Sequence, residues 1–171
     1  MAKKATDIFI QFGYLSVTQS AADTLTFSDG LNVGIGLFQN GAIVIHKVDW
    51  EISPTTYSAL NADADRIVCA LCGDNKLTDL DMDNTSIYDK VGISRKEDTA
   101  VGYEIVNLNF HHDYSTLPGG GLIIPADRLY LAVYSSGTGI ANVVRTRIYF
   151  TLRTLSAADY LELAQSLRVF K

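Results

Sequence analysis

The chain has 171 residues, of which 47% are hydrophobic, and its formal net charge is −5. This length suits a single domain over residues 1–171 with a sizeable core, and the composition excludes a disordered chain. The acidic balance disfavours a free-standing nucleic-acid-binding protein, and no apolar run approaches the ~18 residues that would predict a transmembrane helix.

The first third of the chain is predicted to form short strands. Runs rich in aromatic and β-branched residues cover 8–18, 24–28, 33–39 and 42–53. Asn40-Gly41 separates the last two runs, and both residues tolerate the positive φ of a type I′ turn. The sequence therefore predicts a β-hairpin at this point.

The second arm of this hairpin shows the alternation of a strand with one face exposed to water. His46 is predicted to be a partly buried ring with satisfied hydrogen bonds on the apolar face. The residues assigned to that apolar face are Val44, Val48, Trp50 and Ile52, and those assigned to the polar face are Lys47, Asp49 and Glu51.

The middle of the chain combines a short apolar strand at 66–72 with a polar connection at 73–100 and a strand at 101–111. A connection of this length is expected to carry some structure or function. Cys69 and Cys72 have the spacing of a redox motif, but the strand-to-helix context of that motif is missing. We expect two buried thiols in a protein made in a reducing compartment, because two cysteines are too few for a disulfide scaffold.

The last third predicts a turn at 118–121 and strands at 122–124, 128–135 and 143–153. The total is eight or nine strands without βαβ alternation, which indicates an all-β protein. The predicted fold is an antiparallel β-sandwich, specifically an eight-stranded jelly roll, with a short C-terminal helix. An immunoglobulin-like sandwich fits less well because the Cys-Trp-Cys spacing is absent.

The last predicted strand has two contrasting faces, and a helix or tail at 155–171 follows it. Ser156 is a suitable N-cap for this helix, with Asp159 three residues later. Such a short helix is marginal alone, so its apolar stripe is expected to pack on the sheet or on a neighbouring copy. The stripe comprises Tyr160, Leu163, Ala164 and Leu167, and the polar strand face carries Arg145, Arg147 and Arg153, opposite a core face that includes Ile148 and Phe150.

The segments IPADRLYL (124–131) and RIYFTL (147–152), followed by a short acidic and aromatic segment, resemble the end of small viral capsid proteins built on a single jelly roll. The resemblance covers about the last 50 residues. It implies a structural shell protein without catalytic residues, found in the virion and made in the host cytoplasm. Its partners would be copies of itself in an icosahedral-type shell and other virion proteins. The chain departs from many such proteins because its basic N-terminal arm is only Lys3-Lys4, so packing of a genome by a long arm is not expected.

Several residue groups raise the question of a cofactor or a catalytic centre. Asp79, Asp81 and Asp83 have the spacing that begins a calcium loop, but the loop's glycine and terminal glutamate are replaced by Asn84 and Lys90. A solvated acidic loop is the preferred interpretation, and no metal or other cofactor is predicted. The glycines at 119–121 lack the lysine and hydroxyl residue of a phosphate loop.

The arginine face leaves two interpretations open: contact with nucleic-acid phosphate, or pairing with acidic residues of an adjacent strand or subunit. The acidic total favours pairing. The favoured function is a self-assembling capsid subunit that is not an enzyme. A carbohydrate- or ligand-binding β-sandwich module remains as one alternative. A cupin-like metal enzyme that uses His46, His111 and His112 remains as another.

Overall fold

A computed structural model describes residues 9–33, 40–52, 65–94 and 109–166, which form two antiparallel sheets and one helix. The predicted strand 33–39 and most of 101–111 lie outside the described residues. The strands are β1 (Gln11–Thr18), β2 (Thr26–Phe27), β3 (Leu31–Asn32), β4 (Gly41–Ile52), β5 (Arg66–Cys72), β6 (Ile87–Ser94), β7 (Asn109–Asp113), β8 (Leu122–Ile124), β9 (Arg128–Ser136) and β10 (Val143–Thr154), and the helix is α1 (Ala157–Ser166).

The order of the strands is that of a jelly roll. The first sheet runs β1-β10-β4-β7, with β8 also paired to β4, and the second runs β2-β9-β5-β6, with β3 also paired to β9. Two strands of the jelly roll are interrupted: one consists of β2 and β3, which both pair with β9, and the other of β7 and β8, which both pair with β4. Counted in this way, each sheet has four strands and the sandwich has eight. Successive strands then change sheet at every step except from β5 to β6, which are neighbours in the second sheet, and this is the order that two Greek keys produce. The predicted fold is confirmed.

The main core lies between the two sheets and is built by the inward residues of alternating strands. In β10, for example, every second residue from Val144 to Phe150 is buried. The largest fully buried side chains are Trp50, Ile43, Ile45, Ile52, Ile67, Leu71, Ile124, Leu129, Leu131, Ile148, Val48 and Val133.

A β-bulge at His46 changes the alternation of β4. Tyr149 of β10 is paired with Lys47 and Phe150 with Ile45, so His46 has no partner in the register. The inward residues are therefore odd-numbered before the bulge and even-numbered after it. This corrects the predicted apolar face, because Val44 does not share the face of Val48 and Trp50.

The polar connection after β5 was predicted without a strand, and this prediction is incomplete. Residues 73–86 form turns, and β6 follows with alternate burial of Ile87, Asp89, Val91 and Ile93. Leu80 is buried in a second apolar cluster on the outer face of the second sheet. The connection is thus a covering for that face, followed by an edge strand.

Candidate assembly surface

The polar face of β10 lies on the outside of the first sheet, as predicted. Arg147 and Arg153 are exposed and Arg145 is half-buried, whereas Thr146 and Ile148 face the core. The two strands that flank β10 place Tyr14 and Asp49 opposite Arg147, and Ser16 and Glu51 opposite Arg145. The arginines therefore lie in the middle of a four-stranded outer face.

One acidic residue of β4 pairs with this arginine face, and another pairs with a lysine of its own strand. Arg145 Nη1 lies 3.1 Å from Glu51 Oε1, and Lys47 Nζ lies 2.7 Å from Asp49 Oδ1. The outer face therefore mixes charges of both signs. Such solvent-exposed pairs contribute little to stability, but they reduce the positive potential that phosphate would need. Pairing with an adjacent strand, one of the two open interpretations, is thus present for Arg145.

Tyr149 interacts with two cationic side chains, Arg147 and Lys47, at the centre of the same face. A hydrogen bond with the Tyr149 side chain is the main reason that the pKa of Arg147 lies above its ordinary value. Lys47 Nζ lies 5.4 Å from the centroid of the same ring, which is within cation–π range. The hydrogen bond with Asp49 is the main reason that the pKa of Lys47 is raised. The face is therefore a connected polar surface and not a set of isolated cations.

A shallow groove of about 300 Å³ crosses this outer face. It is open to solvent and is lined by aromatic, acidic, basic and histidine residues. The residues that line it are Tyr14, Asp49, Trp50, Glu51, Phe110, His111, Arg145, Thr146 and Arg147. Its chemistry suits a polar ligand or the polar surface of a neighbouring molecule.

The edge strand β1 and the two residues before it carry the largest apolar exposure of the described residues. The exposed fractions are 79% for Phe9, 61% for Ile10, 73% for Phe12 and 54% for Tyr14. Phe12 and Tyr14 lie on the outer face of the sheet, beside the groove and the arginines. The sequence predicts the strand but not this exposure, because an edge position depends on strand order.

The helix α1 begins as predicted, with Ser156 Oγ accepting a hydrogen bond from the backbone nitrogen of Asp159 at 3.1 Å. Tyr160, Leu163 and Ala164 of the predicted stripe are half-buried, and Leu161 is 57% exposed. Leu167 lies outside the described residues. Among the described elements the helix has no extensive packing partner, so its apolar surface is only partly covered.

A buried polar cluster that the sequence does not predict connects the two sheets. Asp89 in β6 is 4% exposed; its Oδ2 accepts from Trp50 Nε1 at 3.0 Å and its Oδ1 accepts from His112 Nδ1 at 2.6 Å. Burial, and then the Asp89 charge, raises the pKa of the nearby Tyr114. The available signal was the alternation of β6, in which an aspartate takes a core position.

The three histidines do not meet at one site. His46 Nδ1 contacts Gly120 O at 2.8 Å and its Nε2 contacts Thr151 Oγ1 at 3.0 Å, which confirms a satisfied ring. His112 binds the buried Asp89, while its neighbour His111 lines the outer groove. The described residues contain no group of three or more His, Cys, Asp or Glu side chains placed to hold a metal ion.

The acidic loop and the cysteines occupy ordinary structural positions. Asp79, Asp81 and Asp83 are exposed, and Asp79 Oδ1 accepts from the Asp81 backbone nitrogen at 3.2 Å. Cys69 and Cys72 are buried free thiols, as predicted, and they lie in different apolar clusters. Burial raises the pKa of Cys72 to about 12 and that of Cys69 further still. These thiols are therefore poor nucleophiles.

The turn at 118–121 needs its glycines for two reasons, a positive φ and a close approach of the backbone to β4. Gly119 and Gly120 have positive φ, and a Cβ at Gly121 would lie 2.6 Å from Ile45 O. The segment therefore packs against the bulged strand.

No helix in the described part of the chain is long and apolar enough to span a membrane.

Comparisons with known proteins give no family. No protein-family model and no curated protein matches the chain. Among solved structures, a chain of the tomato aspermy virus structure is 16% identical with a TM-score of 0.39, and covers 86% of this chain and 80% of its own length. A chain from Bacillus endospore appendages, described as disulfide-linked pili, is 10% identical with a TM-score of 0.37, and covers 91% of this chain and 96% of its own length. The fold assignment given above rests on strand order and register.

Proposed function

We propose that this protein is a structural subunit that assembles with copies of itself into a closed, icosahedral-type shell, as a viral coat protein does. The observation that carries this proposal is the exposed apolar surface of one copy, at Phe12 and Tyr14 of β1 and at Leu161 of α1. Exposed apolar patches of this kind mark interaction sites. One repeated surface is commonly satisfied by closed symmetric packing.

The jelly roll is compatible with this role but does not assign it, because the same architecture serves unrelated functions. A second feature supports assembly. The outer face of the first sheet presents both positive and negative side chains to a neighbouring subunit. These are Lys47, Asp49, Glu51, Arg145 and Arg147. Such a face gives orientation and specificity to a contact more than affinity. Arg153 lies on the same side of β10, near its end, and is exposed.

The proposal includes several finer statements. The protein would reside in the virion after synthesis in the host cytoplasm, and other virion proteins would contact it. It would have no catalytic role and no cofactor. Contact with nucleic acid would be made by surface side chains such as Arg145, Arg147 and Arg153.

A second candidate, a carbohydrate- or ligand-binding β-sandwich module, is favoured by the groove on the outer face. Tyr14 offers a ring for stacking, and Asp49, Glu51 and Arg147 offer hydrogen-bond partners within about 300 Å³. Saturable binding of a soluble glycan that is lost in Tyr14→Ala, without self-association of the protein, would favour this candidate over the shell.

Sedimentation velocity of the purified protein tests the proposal. A shell subunit should give large, discrete species whose amount depends on protein concentration and salt, since weak contacts repeat at every copy. A monomer at every concentration and salt tested, also in the presence of its companion virion proteins, would contradict the proposal.

A further inference from the structure

The edges of the two sheets differ in how they are protected against pairing with other strands. Of the described strands at edges, β2 and β3 have two residues each and β8 has three, followed by Pro125. The edge strand β6 contains Asp89 and Lys90, and β7 contains His111 and Asp113. Short strands, charges and proline are the usual means by which an edge avoids a foreign strand.

The edge strand β1 has none of these features. It hydrogen-bonds to β10 on one side, and no described strand pairs with its other side from Phe12 to Thr18. The sequence contains no charged residue from Phe9 to Ala22. A long, uncharged edge with exposed aromatic residues is a template for a further strand.

We infer that β1 pairs antiparallel with β1 of a second copy around a two-fold axis, which joins the first sheets of two subunits into one continuous sheet. The inference deepens the proposed function and rests on it, since the partner is another subunit. Antiparallel pairing of a strand with itself is isologous, so one edge serves both subunits. The charge distribution favours a second copy as the partner. Two acidic copies, each with a net charge of −5, repel each other over most of their surfaces, but pairing along the uncharged β1 edge places no like charges side by side.

The size of the apolar patch also suits a contact between subunits of a shell. An aromatic side chain has roughly 150–250 Å² of surface, so at the exposed fractions of Phe9, Phe12 and Tyr14 each copy offers roughly 400 Å². Two copies would bury at most roughly 800 Å², because the side chains on the outer face are only partly covered by pairing at the edge, and this is below the usual size of a stable two-protein interface. The pair is therefore weak alone and becomes stable where other contacts repeat around it.

The test compares the wild-type protein with two lysine variants that change net charge equally. Phe12→Lys puts a charge on the β1 edge, at a side chain that is 73% exposed and opposite Tyr149 in the register, so the fold should be kept. Gly92→Lys puts the same charge on the edge strand β6, where an added Cβ meets nothing closer than 3.9 Å. Circular dichroism and the fluorescence of Trp50 verify folding of each variant.

Two measurements are made on each protein: sedimentation velocity over a wide range of concentrations, and amide hydrogen exchange of the peptide that contains Phe12–Thr18. We expect wild type and Gly92→Lys to self-associate with similar dissociation constants. We expect the dissociation constant of Phe12→Lys to be at least roughly tenfold higher. We also expect β1 amides to become more protected at high concentration, because a strand partner covers amides that β10 does not.

Equal association of Phe12→Lys and wild type, or β1 exchange that does not change with concentration, would overturn the inference. Electron microscopy separates this failure from that of the proposed function. Shells formed equally well by Phe12→Lys would retain the shell and reject the β1 pairing. Concentration-dependent pairs with protected β1 amides but no shells would retain the pairing and reject the shell.

Discussion

Asp89 of β6 accepts a hydrogen bond from Trp50 of β4, with 3.0 Å between Oδ2 and Nε1, and this bond ties one sheet of the sandwich to the other. His112 of β7 donates to the second carboxylate oxygen at 2.6 Å. A carboxylate that is 4% exposed is tolerated in a core only because both oxygens have partners.

Removal of this carboxylate should destabilise the monomer. Asp89→Ala leaves the Trp50 indole without its acceptor and His112 without its partner, at a cost of about 2–4 kcal/mol in the free energy of unfolding. Urea denaturation can be followed by fluorescence, since Trp50 is the single tryptophan. The matched control is Asp83→Ala, at an exposed position, which should unfold like wild type. Equal urea midpoints for the two variants would contradict this role of Asp89.

The two faces of β10 should respond differently to mutation. Ile148 is fully buried, so Ile148→Asp places an unpaired charge in the core and should cost about 4 kcal/mol or more. Arg147 is exposed on the outer face, so Arg147→Ala should keep the thermal midpoint but reduce particle yield. Melting curves and sedimentation of both variants provide the measurement. An Arg147→Ala protein that assembles like wild type would remove Arg147 from the proposed interface.

The C-terminal helix is expected to serve assembly more than the stability of one copy. Deletion of residues 157–171 should leave the urea midpoint close to that of wild type, because α1 has no extensive packing partner among the described elements. Sedimentation should show that the shortened protein assembles less. Ser156→Ala keeps the stripe but removes the cap, which weakens the helix by about 1 kcal/mol and should have a smaller effect. An unfolded monomer after deletion would show that the helix covers its own core.

Stability should fall at alkaline pH in part because of Tyr88. Burial, followed by the charges of Cys72 and Asp74, raises the pKa of Tyr88 from 10.0 to about 12. A folded-state pKa above the unfolded one means that the contribution is complete below about pH 10 and is lost as the pH rises toward about 12. Between pH 8 and pH 11 the free energy of unfolding of Tyr88→Phe should therefore fall by about 1.4 kcal/mol less than that of wild type. Urea titrations at pH 8 and pH 11 measure this difference, and parallel losses in both proteins would contradict it.

The sequence predicted the sandwich because alternation is local and strong in the long strands. The alternating pattern of β10 and the cap at Ser156 were sufficient to predict the two faces of the strand and the start of the helix. Strand β6 was missed because Asp89 interrupts its apolar alternation, and the reason for that aspartate is a partner 39 residues away, Trp50. Local pattern carries no information about such a distant contact.

The bulge and the exposed edge could not be predicted for the same physical reason. Nothing around His46 marks it as an extra residue, because the bulge is defined by the register with β10. The exposure of Phe12 and Tyr14 depends on β1 lying at the end of the sheet. Both properties arise when distant segments pair, so the composition of the segment itself does not contain them.

Electron microscopy of the purified protein, in the presence and absence of its companion virion proteins, tests the central claim most directly. The proposed function predicts closed, uniform shells, and a map of those shells should place β1 and α1 at contacts between subunits. Dispersed single copies at high protein concentration, or open fibres without closure, would contradict the claim that this jelly roll is a shell subunit.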